Sequence, residues 1–201
     1  MNFAGKVAIV TGAGGGLGRQ HALALAVRGA RVVVNDFGRP APQADGSERS
    51  AADAVVADII AAGGTAMASH ASVSDEAAVA SMVQAAMAAW GRIDILVNNA
   101  GILRDKSFAK MTMDDFRLVV EVHLMGAAIC TQAVWNIMRA QKYGRVVLTT
   151  SSSGLYGNFG QAVDMDAVPG SFDGQRLHQA HQRHLRRAVI GLAEVAVQAR
   201  R

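Results

Sequence analysis

VAIVTGAGGGLGRQ, residues 7–20, joins a run of strand-forming residues to Gly12, Gly14, Gly15, Gly16 and Gly18 and then to residues of helical character. Such a run reads as a strand, a tight turn and a helix start. Glycines in that turn let backbone N–H groups approach a pyrophosphate, and the helix N-terminus adds partial positive charge. The spacing is G-x-x-x-G-x-G through Gly12, Gly16 and Gly18, because Leu17 stands where the third glycine of G-x-G-x-x-G would fall. No lysine follows as in a nucleoside-triphosphate loop, which argues against ATP or GTP phosphoryl transfer.

Outward from this turn, short apolar runs alternate with Ala-rich stretches of helical period, the signature of βαβ units. Strands are predicted at Val7–Thr11, Arg31–Asp36, Thr65–His70, Ile93–Asn98 and Arg145–Thr150. One helix reaches about Val27, and a second runs from about Glu48 to Ala62, stopped by Gly63 and Gly64. A third is capped by Ser74 and continues to Trp90. Thr112 to Gln141 reads as one long helix, with Asp114 and Asp115 at its start and Arg139 and Lys142 at its end, as the helix dipole favours. Phe37 to Ser47, with Pro40, Pro42 and Gly46, is a loop. Strands this apolar are covered by helices on both faces. The predicted fold is α/β, a Rossmann-type doubly wound parallel sheet, altered or truncated after the fifth strand.

In such sheets ligands bind outside the carboxyl ends of the strands, where the strand order reverses. Asp36 ends the second predicted strand, 24 residues after Gly12, near the offset at which an acid binds the adenosine ribose hydroxyls. A carboxylate there repels a 2′-phosphate, so NAD is the expected cofactor, with Arg39 able to soften the preference. Asn98-Asn99-Ala100-Gly101 follows the fourth strand and Ser151-Ser152-Ser153 the fifth. Turns alone account for each cluster singly; a dinucleotide beside a small reacting group accounts for the set.

Composition bounds the alternatives. With 51% hydrophobic and 18% charged residues in 201, the chain can bury a core of its own. Cys130 is the lone cysteine, which excludes an internal disulfide and a thiolate zinc site and fits a reducing compartment. No uninterrupted apolar run or leader-like start is present, so a soluble cytoplasmic or organelle-matrix protein with no membrane partner is expected. The charge of +4 is interleaved with acids over residues 1–162 and aromatics are 5%, which argues against nucleic acid and leaves anionic small molecules as partners.

Thr11-Gly12-x-x-x-Gly16-x-Gly18, Asp36 after VVVN, Asn98-Asn99-Ala100-Gly101 and the serine after the fifth strand resemble, in order and spacing, the short-chain dehydrogenase/reductase family. More narrowly, VNNAGILRDKSF (97–108), QKYGRVV (141–147) and SSSGLYGNFGQA (151–162) resemble the (3R)-hydroxyacyl-CoA dehydrogenase domains of peroxisomal multifunctional enzymes of type 2 and their bacterial relatives. The resemblance covers residues 3 to 162. It implies a homo-oligomeric NAD-dependent oxidoreductase acting on a hydroxyl or carbonyl group, 3-hydroxyacyl-CoA being the implied substrate. By resemblance Gly12, Gly16, Leu17 and Gly18 hold the pyrophosphate, Asp36 the ribose, and Ser72 and Val73 the adenine. Ser72 stands where the family usually has Asp. Asn99, Ala100 and Gly101 line the nicotinamide side, and Ser151 holds the substrate oxygen. His123 stands where many members have an asparagine supporting a proton relay; a packed or hydrated helix histidine is the other reading.

After Gln161-Ala162 the resemblance stops. Family members place a tyrosine thirteen residues after the serine and a lysine four further on, where this chain has Asp164 and Val168. Its two tyrosines, Tyr143 and Tyr156, are followed at the fourth position by Val147 and Gly160, so no Tyr-x-x-x-Lys exists. Residues 1–162 are expected to form the NAD-binding domain, and 163–201 a divergent segment. That segment gathers arginines and His178, His181 and His184, a solvated basic face rather than a zinc site. Val189, Leu192, Ala193 and Ala196 follow helical spacing there. A truncation or frame change after residue 162 is the explanation advanced. Two classes stay open: an impaired 3-hydroxyacyl-CoA oxidoreductase, and a noncatalytic dinucleotide-binding or interaction domain. The altered C-terminal part is expected to expose an edge of the fifth strand and to weaken association.

Overall fold

The computed structural model describes residues 2–38, 41–42, 48–151 and 195–196, with the backbone alone at 41–42, 48–49 and 195–196. Five parallel strands form its centre: β1 (Val7–Thr11), β2 (Arg31–Asn35), β5 (Thr65–Ser69), β6 (Ile95–Asn98) and β7 (Arg145–Leu148). They lie in the order β5-β2-β1-β6-β7, so the chain winds outward from β1 and then returns to its other side. The reversal falls between β1 and β6, which is where a doubly wound sheet opens its crevice.

Helices α1 (Gly16–Val27), α2 (Ala51–Ala61), α3 (Glu76–Trp90), α4 (Met113–Val120) and α5 (Gly126–Ala140) cover the two faces. Alternation along β1 builds two cores at once. Val7 and Ile9 join Val79, Val83, Val134 and Met138 of α3 and α5, whereas Ala8 and Val10 join Ala22, Val55 and Ile59 of α1 and α2. Both cores are fully apolar, which is why each strand lacks the polar alternation of a one-sided sheet.

Several boundaries differ from the sequence reading. The loop after β2 contains a two-residue hairpin, β3 (Ala41–Pro42) with antiparallel β4 (Glu48–Arg49), so α2 starts after Ser50 instead of at Glu48. Ser50 caps it by accepting the Asp53 N–H. Asp75, and not Ser74, caps α3, because its Oδ1 accepts the Ala78 N–H at 3.0 Å while the Ser74 hydroxyl pairs with that of Ser72. The long helix is confirmed, but Glu121–Met125 in its middle is a π-helical turn. A short 3₁₀ turn, Phe108–Lys110, precedes it.

One expectation needs correction. The β7 edge is met over two residues by antiparallel β8 (Val195–Ala196), pairing Arg145 with Ala196 and Val146 with Val195. Ala196 is therefore extended where helical spacing pointed to a helix. The rest of that helix, Tyr156, Arg39 and the 152–162 motif lie outside the described residues. The helical stretch Met113–Ala140 is long and apolar enough, by length and composition, to cross a membrane, one 18-residue window of it having a mean hydropathy of 1.5. Polar residues such as Glu121, His123 and Gln132 interrupt it, so the sequence shows no unbroken apolar run there. Its Cys130, Val134 and Met138 are buried against the sheet.

At the amino-terminal edge Asp94 is fully buried and joins three strands' worth of chain. It accepts the Val7 N–H at 2.9 Å, Lys6 Nζ at 3.2 Å and the Arg92 guanidinium at 2.6 and 2.8 Å. Its carbonyl accepts the Arg145 N–H. Tyr143 lies beneath Lys6, whose ammonium is 3.7 Å from the ring centre.

Candidate active site

Thr11 closes β1 and is buried. Its Oγ1 accepts the N–H groups of Asn99 and Ala100, each at 3.0 Å, and donates to the Val97 carbonyl at 3.3 Å. Asn99 returns the connection, its Nδ2 donating to the carbonyls of Thr11 at 3.0 Å and Gly12 at 3.1 Å. The two strand ends flanking the crevice are thus sewn together by one hydroxyl and one amide. Gly12 has φ +61°, and a Cβ there would stand 2.7 Å from Ala100 Cα, so no other residue fits.

The glycine turn leads into α1 with Gly15 as N-cap, which offers no side-chain hydrogen bond, and with no acid in the first turn. The N–H groups at Gly16, Leu17 and Gly18 therefore lack an acid or hydroxyl cap of the usual kind. Leu17 is exposed, and at Gly15 and Gly16 a Cβ would meet only open space. A concave run of amides at a helix N-terminus, with room in front of it, fits the pyrophosphate of a dinucleotide.

Asp36 follows β2. Its Oδ2 accepts the Gly14 N–H and its Oδ1 the Gly38 N–H, each at 2.8 Å, so the carboxylate is held against the glycine turn. Ala51, first in α2, crowds the same spot, since a Cβ on Gly14 would meet its methyl at 2.5 Å. Ser72 and Val73 follow β5. The Ser72 hydroxyl is 2.9 Å from that of Ser74, and Val73 is buried against Gly126 of α5. Gly101 is exposed on one side and faces the His123 ring on the other. Ser151, half-buried, lies three residues beyond β7.

A cavity of about 670 Å³ opens beside these strand ends, with Thr11, Asn99, His123, Trp135 and Thr149 in its wall. Asn98 also lines it, its Nδ2 donating to Thr131 at 3.0 Å and its Oδ1 buried with no partner among the described residues. The residues predicted for the site thus share one edge of the sheet. The side-chain amide of Asn99, however, is turned to the backbone of Thr11 and Gly12. Cys130 is remote in character: burial pushes its thiol up to about 12, leaving it inert. Among the described residues no group of three or more His, Cys, Asp or Glu could hold a metal.

Two polar residues escaped the sequence reading as site builders. The Thr11 hydroxyl is the hub of the crevice. Buried Asn35 plays a similar part next door, its Nδ2 donating to Ser69 Oγ at 3.2 Å and the Ala71 carbonyl at 3.0 Å, which ties the ends of β2 and β5. Thr11 carried a signal, as the polar last residue of an apolar strand, whereas Asn35 stood one residue inside the end assigned to Asp36.

Comparison with known proteins gives the same picture. The profile described as short chain dehydrogenase matches residues 6–163. The chain is 55% identical over 162 residues to peroxisomal multifunctional enzyme A of Dictyostelium discoideum, covering 81% of this chain and 36% of that protein. It is 50% identical over 162 residues to the peroxisomal hydratase-dehydrogenase-epimerase of Saccharomyces cerevisiae, covering 81% of this chain and 18% of that one. The chain therefore spans about a third or less of the length of these relatives. A crystal structure of a short chain dehydrogenase from Mycobacterium avium superposes with a TM-score of 0.72 at 43% identity, covering 81% of this chain and 57% of that one.

Proposed function

The chain belongs to the short chain dehydrogenase family, and from that premise we propose that it binds NAD in the crevice between β1 and β6, in a fold suited to oxidoreduction of 3-hydroxyacyl-CoA. The observation that carries the cofactor reading is the Asp36 carboxylate fixed on Gly14 at 2.8 Å, beside an α1 N-terminus without a side-chain cap. One feature recognises ribose hydroxyls and disfavours a 2′-phosphate; the other attracts a pyrophosphate. Gly12, Gly16, Leu17 and Gly18 would hold the diphosphate, Ser72 and Val73 the adenine, and Asn99, Ala100 and Gly101 the nicotinamide side. When bound, the nicotinamide supplies the hydride acceptor or donor. Ser151 would hold the substrate oxygen by a hydrogen bond. The acyl-CoA reading is supported by the names of the multifunctional and hydratase-dehydrogenase relatives and by VNNAGILRDKSF at residues 97–108. Those names also favour an organelle matrix over the cytoplasm.

The proton step is where this chain departs from its family. A tyrosine whose pKa is lowered by a neighbouring lysine exchanges the proton as hydride moves, and no Tyr-x-x-x-Lys occurs in these 201 residues. The profile match stops at 163, one residue past the point where the motifs cease. On this ground the second reading, a dinucleotide-binding domain without turnover, stands beside the first, with homo-oligomer formation weakened in either case. Titration with NADH separates both from a non-binding protein, and the appearance of NADH from NAD and a 3-hydroxyacyl-CoA separates the two from each other.

A further inference from the structure

The paired residues of β2 and β5 end at Asn35 with Ser69, and the next peptide is held as well, the Asp36 N–H donating to the Ser69 carbonyl at 2.9 Å. Asp36 and His70 therefore leave the sheet side by side. Val34 and Ala68, two residues earlier, belong to the core under α1 and α2, so by the two-residue period of a strand Asp36 and His70 face the same helices. Each meets a different neighbour there. Asp36 takes the Gly14 N–H, whereas His70 Nε2 lies 2.8 Å from Ser50 Oγ and 3.2 Å from Asp53 Oδ2 at the start of α2.

The hydrogens of this trio can all be placed at once. Ser50 Oγ accepts the Asp53 N–H at 3.1 Å and donates to Asp53 Oδ2 at 2.6 Å, which leaves the Nε2–H of His70 to donate to the same two oxygens. Serine and acid both face one ring nitrogen, so the imidazole does not stand between them and the trio is not a nucleophile–base–acid relay. It is a tie between two elements. Ser50 is buried, while the side chains of His70 and Asp53 are about half exposed. Beside Ser50, the methyl of Ala51 would meet a Cβ on Gly14 at 2.5 Å, and that same Cβ would stand 2.7 Å from Asp36 Oδ2. The tie thus backs the place where the end of β2, the glycine turn and α2 converge. Opening it frees α2 to draw away from β5 and loosens the surround of the Asp36 carboxylate. The joint of Thr11 with Asn99 and Ala100, on the β6 side of β1, has no share in it.

We propose that His70 is a positioning residue for the adenosine half of the dinucleotide, its hydrogen bonds to Ser50 and Asp53 fixing the start of α2 against the Asp36 carboxylate. This rests on the NAD-binding reading of the same crevice. His70→Ala should weaken the binding of NADH and of ADP-ribose by about threefold to tenfold each, the worth of about one hydrogen bond. Reduced nicotinamide mononucleotide, which lacks the adenosine half, should bind as it does to the unaltered chain. His70→Gln, whose side-chain amide brings an N–H donor near the place of Nε2, should restore the binding of NADH and ADP-ribose. The second measurement is of amide resonances without nucleotide: in His70→Ala those of Asp36 and Gly14 should move and that of Asn99 should stand still. NADH binding unchanged by His70→Ala overturns the proposal, and so does an equal loss for the mononucleotide, which would mean a general loosening of the fold. Asp36 and Gly14 amides that ignore the substitution overturn it too. If the unaltered chain binds neither NADH nor ADP-ribose, the cofactor reading falls and the adenosine role with it, whereas displaced Asp36 and Gly14 amides in the variant would still support the tie between β5 and α2.

Discussion

Asp36 Oδ2 and the Gly14 N–H are joined at 2.8 Å, so the acid at the end of β2 and the glycine turn after β1 form one surface. The carboxylate is thereby directed at whatever the turn binds. Replacing it alters the charge beside the turn without touching either core.

Asp36→Ala should narrow the difference between NADH and NADPH affinities by about tenfold, the equivalent of 1–2 kcal/mol of like-charge repulsion at a partly hydrated site. Fluorescence titration of both nucleotides is the check. Equal affinities in the unaltered chain would remove Asp36 from the cofactor site.

Thr11→Val keeps the shape of the strand end but takes away the acceptor of two N–H groups. Buried donors without a partner cost about 1–3 kcal/mol each, so the urea midpoint should fall and NADH binding should weaken together. Thr11→Ser, which retains the hydroxyl, should restore most of both. A Val variant as stable as the parent would mean that the Asn99 amide alone suffices to close the crevice.

At Asp94 burial opposes ionisation, yet hydrogen bonds from Arg92, the Val7 N–H and Lys6 outweigh it and hold the carboxyl below its ordinary value. A group with a lower folded than unfolded pKa stabilises the fold above the unfolded value and loses that contribution as pH falls through the folded one. Asp94→Asn should therefore cost about 1.5–3 kcal/mol at neutral pH. The gap to the parent should shrink once the pH drops below about 4. Urea unfolding of both proteins across that range tests the sign, and a gap that widens in acid would refute it.

Turnover should be nearly absent in residues 1–201. Losing positioned acid–base chemistry removes about 10² to 10⁴ of rate, even where nucleotide binding is intact. Purified chain, NAD and a 3-hydroxyacyl-CoA provide the assay. A rate close to that of an intact family member, abolished by Ser151→Ala, would show that another residue moves the proton. The coding DNA supplies a companion test: a frame shifted after the Ala162 codon should encode a tyrosine and a lysine in family spacing, and if no frame does, the frame change is ruled out.

The parallel sheet was legible because the middles of β1, β2 and β6 are buried on both faces and so are apolar at successive residues. Their carboxyl ends were legible because glycine, asparagine and aspartate have few reasons to cluster there. What the residues did not disclose is who holds whom. Asn99 was legible as a residue of the crevice, but not that its Nδ2 donates to two carbonyls of the β1 turn. Pairing of that kind depends on strand register, which a single chain of letters does not carry. The π-helical turn was invisible for a related reason: its apolar period continues through it, so nothing in the spacing of residues 113–140 marks a change of hydrogen-bonding pattern. The hairpin within residues 41–49 was missed because two-residue strands are too short to show alternation.

The π-helical turn makes chain length at this point as informative as residue identity. A π turn holds one residue more than the α-helical turn it replaces, and each α-helical residue turns the chain by about 100°. Deleting a single residue between Glu121 and Met125 would restore a regular helix and leave the apolar stripe of α5 on the sheet. The helix before the turn would also keep its facing, but the residues of the turn itself would shift, carrying the His123 imidazole away from the Ile102 nitrogen, which lies 2.9 Å from its Nε2. A one-codon insertion or deletion, harmless to hydrophobic pattern and to composition, can thus retarget the crevice wall as effectively as a substitution within it.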